Sequence, residues 1–251
     1  MPLPDLIEII PMSKPVTANV TVPGSKSITN RALILAALAE DAVTLTGALW
    51  SEDTQIMVEA LQALGFVVDV AKDPVETCNR NITVQGQAGR IPQLPEEIFV
   101  GNAGTAARFL AAMACLGEGA VKLHGVDRMH ERPQGELFHA LRRLGYRVDA
   151  KNDKLPAVIY GSGPVEAACT VSLRDSSQFA SALLLSAETG EWIVDFSGAR
   201  LDEAPYVQMT QELIKAFPSG GGEFAIEPDA SSGSYFWGVN CIHEGVEVVN
   251  W

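Results

Sequence analysis

Three times along its 251 residues the chain runs through the same order of predicted elements: strand, helix, strand, helix, then further strand. In the first pass, alternation of apolar and polar residues predicts strands at 18–22, 43–46, 66–70 and 82–84, with helices at 27–39 and 53–64. The second pass places strands at 98–100, 121–124, 147–150 and 157–160 around helices at 104–115 and 134–144. The third gives strands at 169–172, 192–196 and 223–226 with helices at 176–187 and 206–217. The first helices of the three passes begin at similar intervals, which marks three copies of one supersecondary unit. Each unit would bury a helix face against its neighbours, giving an α/β body of three βαβαββ repeats about a pseudo-threefold axis, helices inside and sheets outside. Order alone does not choose that packing over an ordinary α/β sandwich.

Composition narrows the partners. A net charge of -13, from 18 basic and 31 acidic residues, argues against nucleic acid and anionic membrane surfaces. The longest apolar stretches, around 106–116 and 180–187, fall short of the roughly 20 residues that a membrane-spanning helix needs. The opening residues carry no leader pattern, so a cytoplasmic protein is expected. Cys78, Cys115, Cys169 and Cys241 lie far apart, without metal-ligand spacing, and read as reduced thiols, Cys115 as a core residue. His124, His130, His139 and His243 show no ligand spacing either, so no metal role is expected for them.

In so acidic a chain, cations gathered at helix starts stand out. Gly24-Ser25-Lys26-Ser27 leads into the first helix, with Asn30 and Arg31 a turn further on. Free backbone N–H groups and the helix dipole favour an anion there. Taken singly, such a segment is more often a capped helix with solvated basic residues. The design recurs, however, in Gly101-Asn102-Ala103-Gly104-Thr105 with Arg108, and again in Asp175-Ser176-Ser177-Gln178. Three such starts at equivalent places in three repeats point to one shared surface, which predicts a convergent site for small anionic molecules. Arg128 and Arg132, in the segment before Pro133, are one turn apart and form a candidate clamp beside it.

These segments, with Asp229-Ala230-Ser231-Ser232-Gly233-Ser234-Tyr235-Phe236 after them, occur in the order found in 5-enolpyruvylshikimate-3-phosphate synthases, which the chain resembles over nearly its whole length. The resemblance implies an inside-out α/β barrel of the enolpyruvyl transferase type and transfer of enolpyruvyl from phosphoenolpyruvate to the 5-hydroxyl of shikimate 3-phosphate. It places Lys26, Ser27, Arg31, Ser176, Ser177, Gln178 and Tyr206 on shikimate 3-phosphate. It places Lys26, Asn102, Gly104, Thr105 and Arg128 on phosphoenolpyruvate, with Arg108 and Arg132 in support. Lys26 is the implied catalytic group of this part of the enzyme, and no cofactor is implied.

The resemblance also divides the chain into an opening strand at 1–18 that belongs to a second domain, a first domain at 19–226, and a crossover with the start of the second domain at 227–251. The family's acidic proton donor and acceptor fall after Trp251, so a truncated form that binds shikimate 3-phosphate without completing catalysis is expected. A missing C-terminal domain, or self-association through the apolar tail from Trp237, would cover that tail. Glu203 stands where the family usually has Ser, and Phe109 where many relatives have Pro. Two other readings are weighed: a transferase acting on UDP-N-acetylglucosamine, and a noncatalytic binding domain. The first is disfavoured because no Cys lies between Leu116 and Pro133, where that relative commonly carries one.

Overall fold

A computed structural model describes residues 6–8, 10–11, 14, 16–174, 176–198, 204–242 and 245–251. The first repeat comprises β1 (Ala18–Val20), α1 (Lys26–Leu38), β2 (Val43–Leu49), α2 (Glu52–Ala63), β3 (Val68–Lys72) and β4 (Asn79–Val84). The second comprises β5 (Glu97–Phe99), α3 (Gly104–Ala114), β6 (Glu118–His124), a short α4 (Asp127–Glu131), α5 (Gly135–Arg143), β7 (Arg147–Ala150) and β8 (Ala157–Ser162). The third comprises β9 (Ala167–Ser172), α6 (Ser177–Gly190), β10 (Trp192–Ser197), α7 (Ala204–Ala216) and β11 (Gly222–Ala225); α8 (Ala230–Asn240) and β12 (Val246–Val248) follow. The predicted elements are all present, with shifted ends; α4, where no element was predicted, is one turn of helix.

Helices α1, α3 and α6 form the centre. Beyond Arg31, Arg108 and Gln178 their sequences are predominantly apolar on every side, as enclosed helices must be. Every residue of α3 is buried except Thr105, and alanines at 106, 107, 111, 112 and 114 let neighbouring helices approach closely. Helix α5 shows the contrasting amphipathic pattern: Leu137, Phe138, Ala140 and Leu141 are buried, while Arg142 and Arg143 stay near the surface. Each large apolar side chain removed from water in this core contributes roughly 1.5–3 kcal/mol.

Two four-stranded sheets share one design. One runs β11-β2-β4-β3 and the other β5-β6-β8-β7, each with a parallel outer pair followed by an antiparallel hairpin. The sheet of the third repeat, β9-β10, has two parallel strands. The strand that closes the sheet of the first repeat is therefore β11, from the third, and β1 pairs instead with β12 in parallel. The glycine-rich turn at 217–221 is consequently internal to the body, because β11 follows it and pairs with β2. Val22 N–H donates to Asn250 Oδ1 at 3.0 Å, and Gly24 bridges Pro228, which ties the opening and closing segments together. Leu6, Ile7 and Ile10 lie outside any strand and are largely exposed; Ile9 is outside the described residues.

Candidate functional site

Contacts between the three inner helices fix their relative direction. Arg31, in the second turn of α1, lies over the ring of Phe109, in the second turn of α3, and donates to Ser181, in the second turn of α6. Equivalent turns side by side, together with Leu38, Leu116 and Glu188 meeting around one concavity at the far end, mean that the helices run parallel, with their N-termini at one end of the body. Arg108 repeats the relation between α3 and α6, hydrogen-bonding Gln178 Oε1 and stacking on Phe179 at 5.0 Å. The segments with Lys26 and Ser27, with Asn102, Gly104 and Thr105, and with Ser176, Ser177 and Gln178 thus share one end of the molecule.

Arg31 is 2% exposed. Its Nε donates to Thr210 Oγ1 at 2.8 Å, Nη1 to the Ser27 carbonyl at 3.0 Å and Nη2 to Ser181 Oγ at 3.0 Å. Burial pulls its pKa down to about 10, which leaves it charged at neutral pH. Arg108, also buried, is lowered to about 10, first by burial and then by repulsion from Arg132. Its Nη2 donates to the Pro133 carbonyl at 3.2 Å, while its Nε and Gln134 Nε2 are buried without acceptors among the described residues. Among the described residues neither Arg31 nor Arg108 is ion-paired with a carboxylate. A buried guanidinium held by neutral oxygens alone is costly, and an incoming anion relieves that cost.

The start of α3 concentrates positive charge further. Ala103 at the N-cap offers no side-chain acceptor, so the first N–H groups of the helix lack a side-chain cap. Arg132 Nη1 donates to the Asn102 carbonyl at 3.1 Å, and its guanidinium rests on Gly104, where an added Cβ would come within 2.5 Å of it. A guanidinium on a helix N-terminus opposes the helix dipole and favours an anion between the two. The glycine at 104 is what admits it. By contrast, Gly24 is required by packing, because a Cβ there would collide with the Gly47 carbonyl oxygen.

The other candidates are arranged as follows. Ser25 caps α1 by accepting from Ile28 N–H at 3.4 Å, and Ser176 caps α6 by accepting from Gln178 N–H at 3.2 Å. Ser177 is buried and Thr105 half-buried at their helix starts. Lys26 is half-exposed and pairs with Asp53 at 3.2 Å. Tyr206 lies close enough to Arg31 to act on it electrostatically, and its carbonyl accepts from Thr210 Oγ1 at 2.8 Å. Arg128 points to solvent and pairs with Glu131 at 2.5 Å; Arg132, rather than Arg128, reaches the α3 start. Glu203 and Asp175 lie outside the described residues.

Sequence reasoning missed Asp53, Ser181 and Thr210. The signal for the last two was a hydroxyl inside an apolar helix face, which has to find a buried partner. Among the described residues no group of His, Cys, Asp and Glu is placed to hold a metal ion, and no helix is long and apolar enough to cross a membrane. A concavity of about 810 Å³ lies at the opposite, C-terminal ends of the inner helices, beside Leu38, Leu116 and Glu188, with Arg90 as the one cation among its described lining residues.

A family model described as EPSP synthase (3-phosphoshikimate 1-carboxyvinyltransferase) matches residues 10–221. A curated 3-phosphoshikimate 1-carboxyvinyltransferase from Rhizobium etli is 39% identical over 95% of this chain and 60% of its own length. One from Opitutus terrae is 40% identical over 94% of this chain and 59% of its own length. The fold is similar to that of a solved EPSP synthase from Acinetobacter baumannii, with a TM-score of 0.76 at 23% identity, over 95% of this chain and 56% of that one. The chain spans about 60% of the length of the curated relatives it matches. The Rhizobium etli alignment covers 259 positions yet uses 95% of 251 residues, about 238, so the relative has roughly 20 residues in this stretch that the chain lacks.

Proposed function

Because the chain belongs to the EPSP synthase family, we infer that it forms the shikimate 3-phosphate side of a 3-phosphoshikimate 1-carboxyvinyltransferase, with residues 19–226 as its first domain, working in cytoplasm. The observation that carries this reading is the convergence of three inner-helix N-termini with Arg31, Arg108 and Arg132, none of them ion-paired with a carboxylate among the described residues. In it Ser176 and Ser177 hold the phosphate of shikimate 3-phosphate, while Gln178, Tyr206, Ser27, Arg31 and Lys26 surround its ring and carboxylate. Asn102, Gly104 and Thr105 take phosphoenolpyruvate, backed by Arg108 and Arg132, with Arg128 turning from Glu131 to reach it.

The reaction adds the shikimate 5-hydroxyl to C2 of phosphoenolpyruvate while the methylene carbon gains a proton. The resulting adduct then loses phosphate from C2 and a proton from the methyl carbon, which leaves the enolpyruvyl ether. Both substrates are polyanions, so the contribution of these residues is positioning and charge stabilisation, with Lys26 near the transferred proton. Calorimetry with shikimate 3-phosphate tests the reading, with UDP-N-acetylglucosamine as the competing ligand. Saturable binding of shikimate 3-phosphate, weakened by Ser177→Ala, is expected. Binding of UDP-N-acetylglucosamine alone, or of neither, would overturn it.

A further inference from the structure

The third sheet lacks what the other two contain. Strands β2 and β6 occupy the same place in their sheets, each with a parallel neighbour on one side and an antiparallel hairpin on the other. Strand β10 is their counterpart, with β9 as its parallel neighbour and no strand on its other edge among the described residues. The cause is visible in the chain: residues 64–96 separate α2 from β5 and residues 144–166 separate α5 from β9, each span carrying a hairpin. Helix α7 is joined to β11 by residues 217–221 alone. The roughly 20 residues by which the relative's aligned stretch is longer match a lost hairpin in size, since β3, its turn and β4 occupy 68–84.

The loss leaves apolar surface uncovered. Inward residues of β2 and β6, such as Leu45 and Leu123, are fully buried, whereas on β10 Trp192 is 6% exposed, Val194 is half-buried and Phe196 is 37% exposed. Ile193, on the other face, is 65% exposed. The carbonyls of Glu191 and Ser197 accept from Ala167 and Leu173, so odd-numbered residues bond toward β9. The N–H and C=O groups of Trp192, Val194 and Phe196 therefore face the open edge. The usual edge protections are missing there, since β10 has no Pro, Lys or bulge and carries Asp195 as its single charge.

We propose that this edge is an association surface for a second copy of the chain, the two β10 strands pairing antiparallel about a twofold axis. The other two repeats show that an antiparallel strand is what this position accepts, and two copies of one edge related by a twofold axis are antiparallel by symmetry. Edge-facing residues must oppose one another, and of the registers that allow this, one sets Val194 against its own copy and Trp192 against Phe196 of the second copy. The exposed Phe196 then meets an apolar partner. Asp195 falls opposite Ile193 of the second copy, whereas the neighbouring register would set Asp195 against Asp195 and repel.

Sedimentation velocity over a concentration series, at low and high salt, tests the proposal alongside hydrogen exchange. We expect a monomer–dimer equilibrium that shifts to dimer as salt screens the net charge of -13, with amides of Trp192, Val194 and Phe196 gaining protection as concentration rises. Val194→Pro removes an edge-facing N–H that the monomer does not use. It should weaken dimerisation at least about tenfold, as expected for losing hydrogen bonds on both strands. A monomer at every concentration overturns the proposal. So does a dimer whose β10 edge amides stay unprotected, which would place the contact elsewhere, for instance at the exposed aromatic tail.

Discussion

Arg31 Nη2 donates to Ser181 Oγ at 3.0 Å, joining the second turn of α1 to the second turn of α6 across the centre of the molecule. Thr210 completes the arrangement, 2.9 Å from Ser181 Oγ and 2.8 Å from Arg31 Nε. Ser181→Ala should cost about 1.5–3 kcal/mol in denaturant unfolding, the range for a hydrogen bond to a charged group. Because the two hydroxyls serve one guanidinium, Ser181→Ala and Thr210→Val should be non-additive by about 0.5 kcal/mol or more. Additive costs would mean that the three groups do not act as a unit.

Gly24 and Gly104 should respond differently to alanine. At Gly24 the added Cβ meets the backbone carbonyl of Gly47, which cannot move without moving β2, so Gly24→Ala should lower the melting temperature sharply. At Gly104 it meets the end of the Arg132 side chain, which can swing away. Stability should then change by less than about 1 kcal/mol. Affinity for phosphoenolpyruvate or inorganic phosphate should fall about tenfold or more, as expected when a charge-assisted contact is lost. Thermal melts with and without ligand read both effects.

Lys26 is ion-paired with Asp53, which an anionic ligand of Lys26 would have to displace. The pair is 3.2 Å apart and partly exposed, so its contribution to stability is about 1 kcal/mol at most. Asp53→Asn should leave the melting temperature nearly unchanged and tighten binding of shikimate 3-phosphate, most visibly at low salt. Weaker binding by the variant would show that Asp53 holds Lys26 in place.

Asp153 gives the fold a pH dependence. The Arg142 hydrogen bond, helped by His139, holds its carboxyl below the usual carboxylate range. A depressed folded value means that the unfolded chain takes up the proton first as pH falls. The stabilisation is therefore full above the ordinary carboxylate pKa and is lost as pH drops through the lowered folded one. Asp153→Asn should cost about 0.5–1 kcal/mol at neutral pH, a surface-pair magnitude because the carboxylate is a third exposed. Unfolding curves of the two proteins should converge in strongly acid solution.

Much of this was legible in the residues. Period and turn chemistry depend on neighbours a few positions apart, so the helices, the hairpins of the first two repeats, and the helix starts at Lys26, Gly104 and Ser177 could all be read from the chain. The recurrence of those starts predicted one shared end, and the contacts of Arg31 and Arg108 place them there. What the sequence could not supply was long-range pairing. That β11 rather than β1 completes the first sheet, that β10 has only β9 beside it among the described residues, and that Arg132 rather than Arg128 rests on Gly104 follow from elements brought together from distant parts of the chain. Local propensity is set by a residue's own neighbours along the chain. A sheet's neighbour and an arginine's partner are chosen by which buried polar groups and apolar faces remain to be satisfied once the helices have packed, and only the tertiary structure settles that.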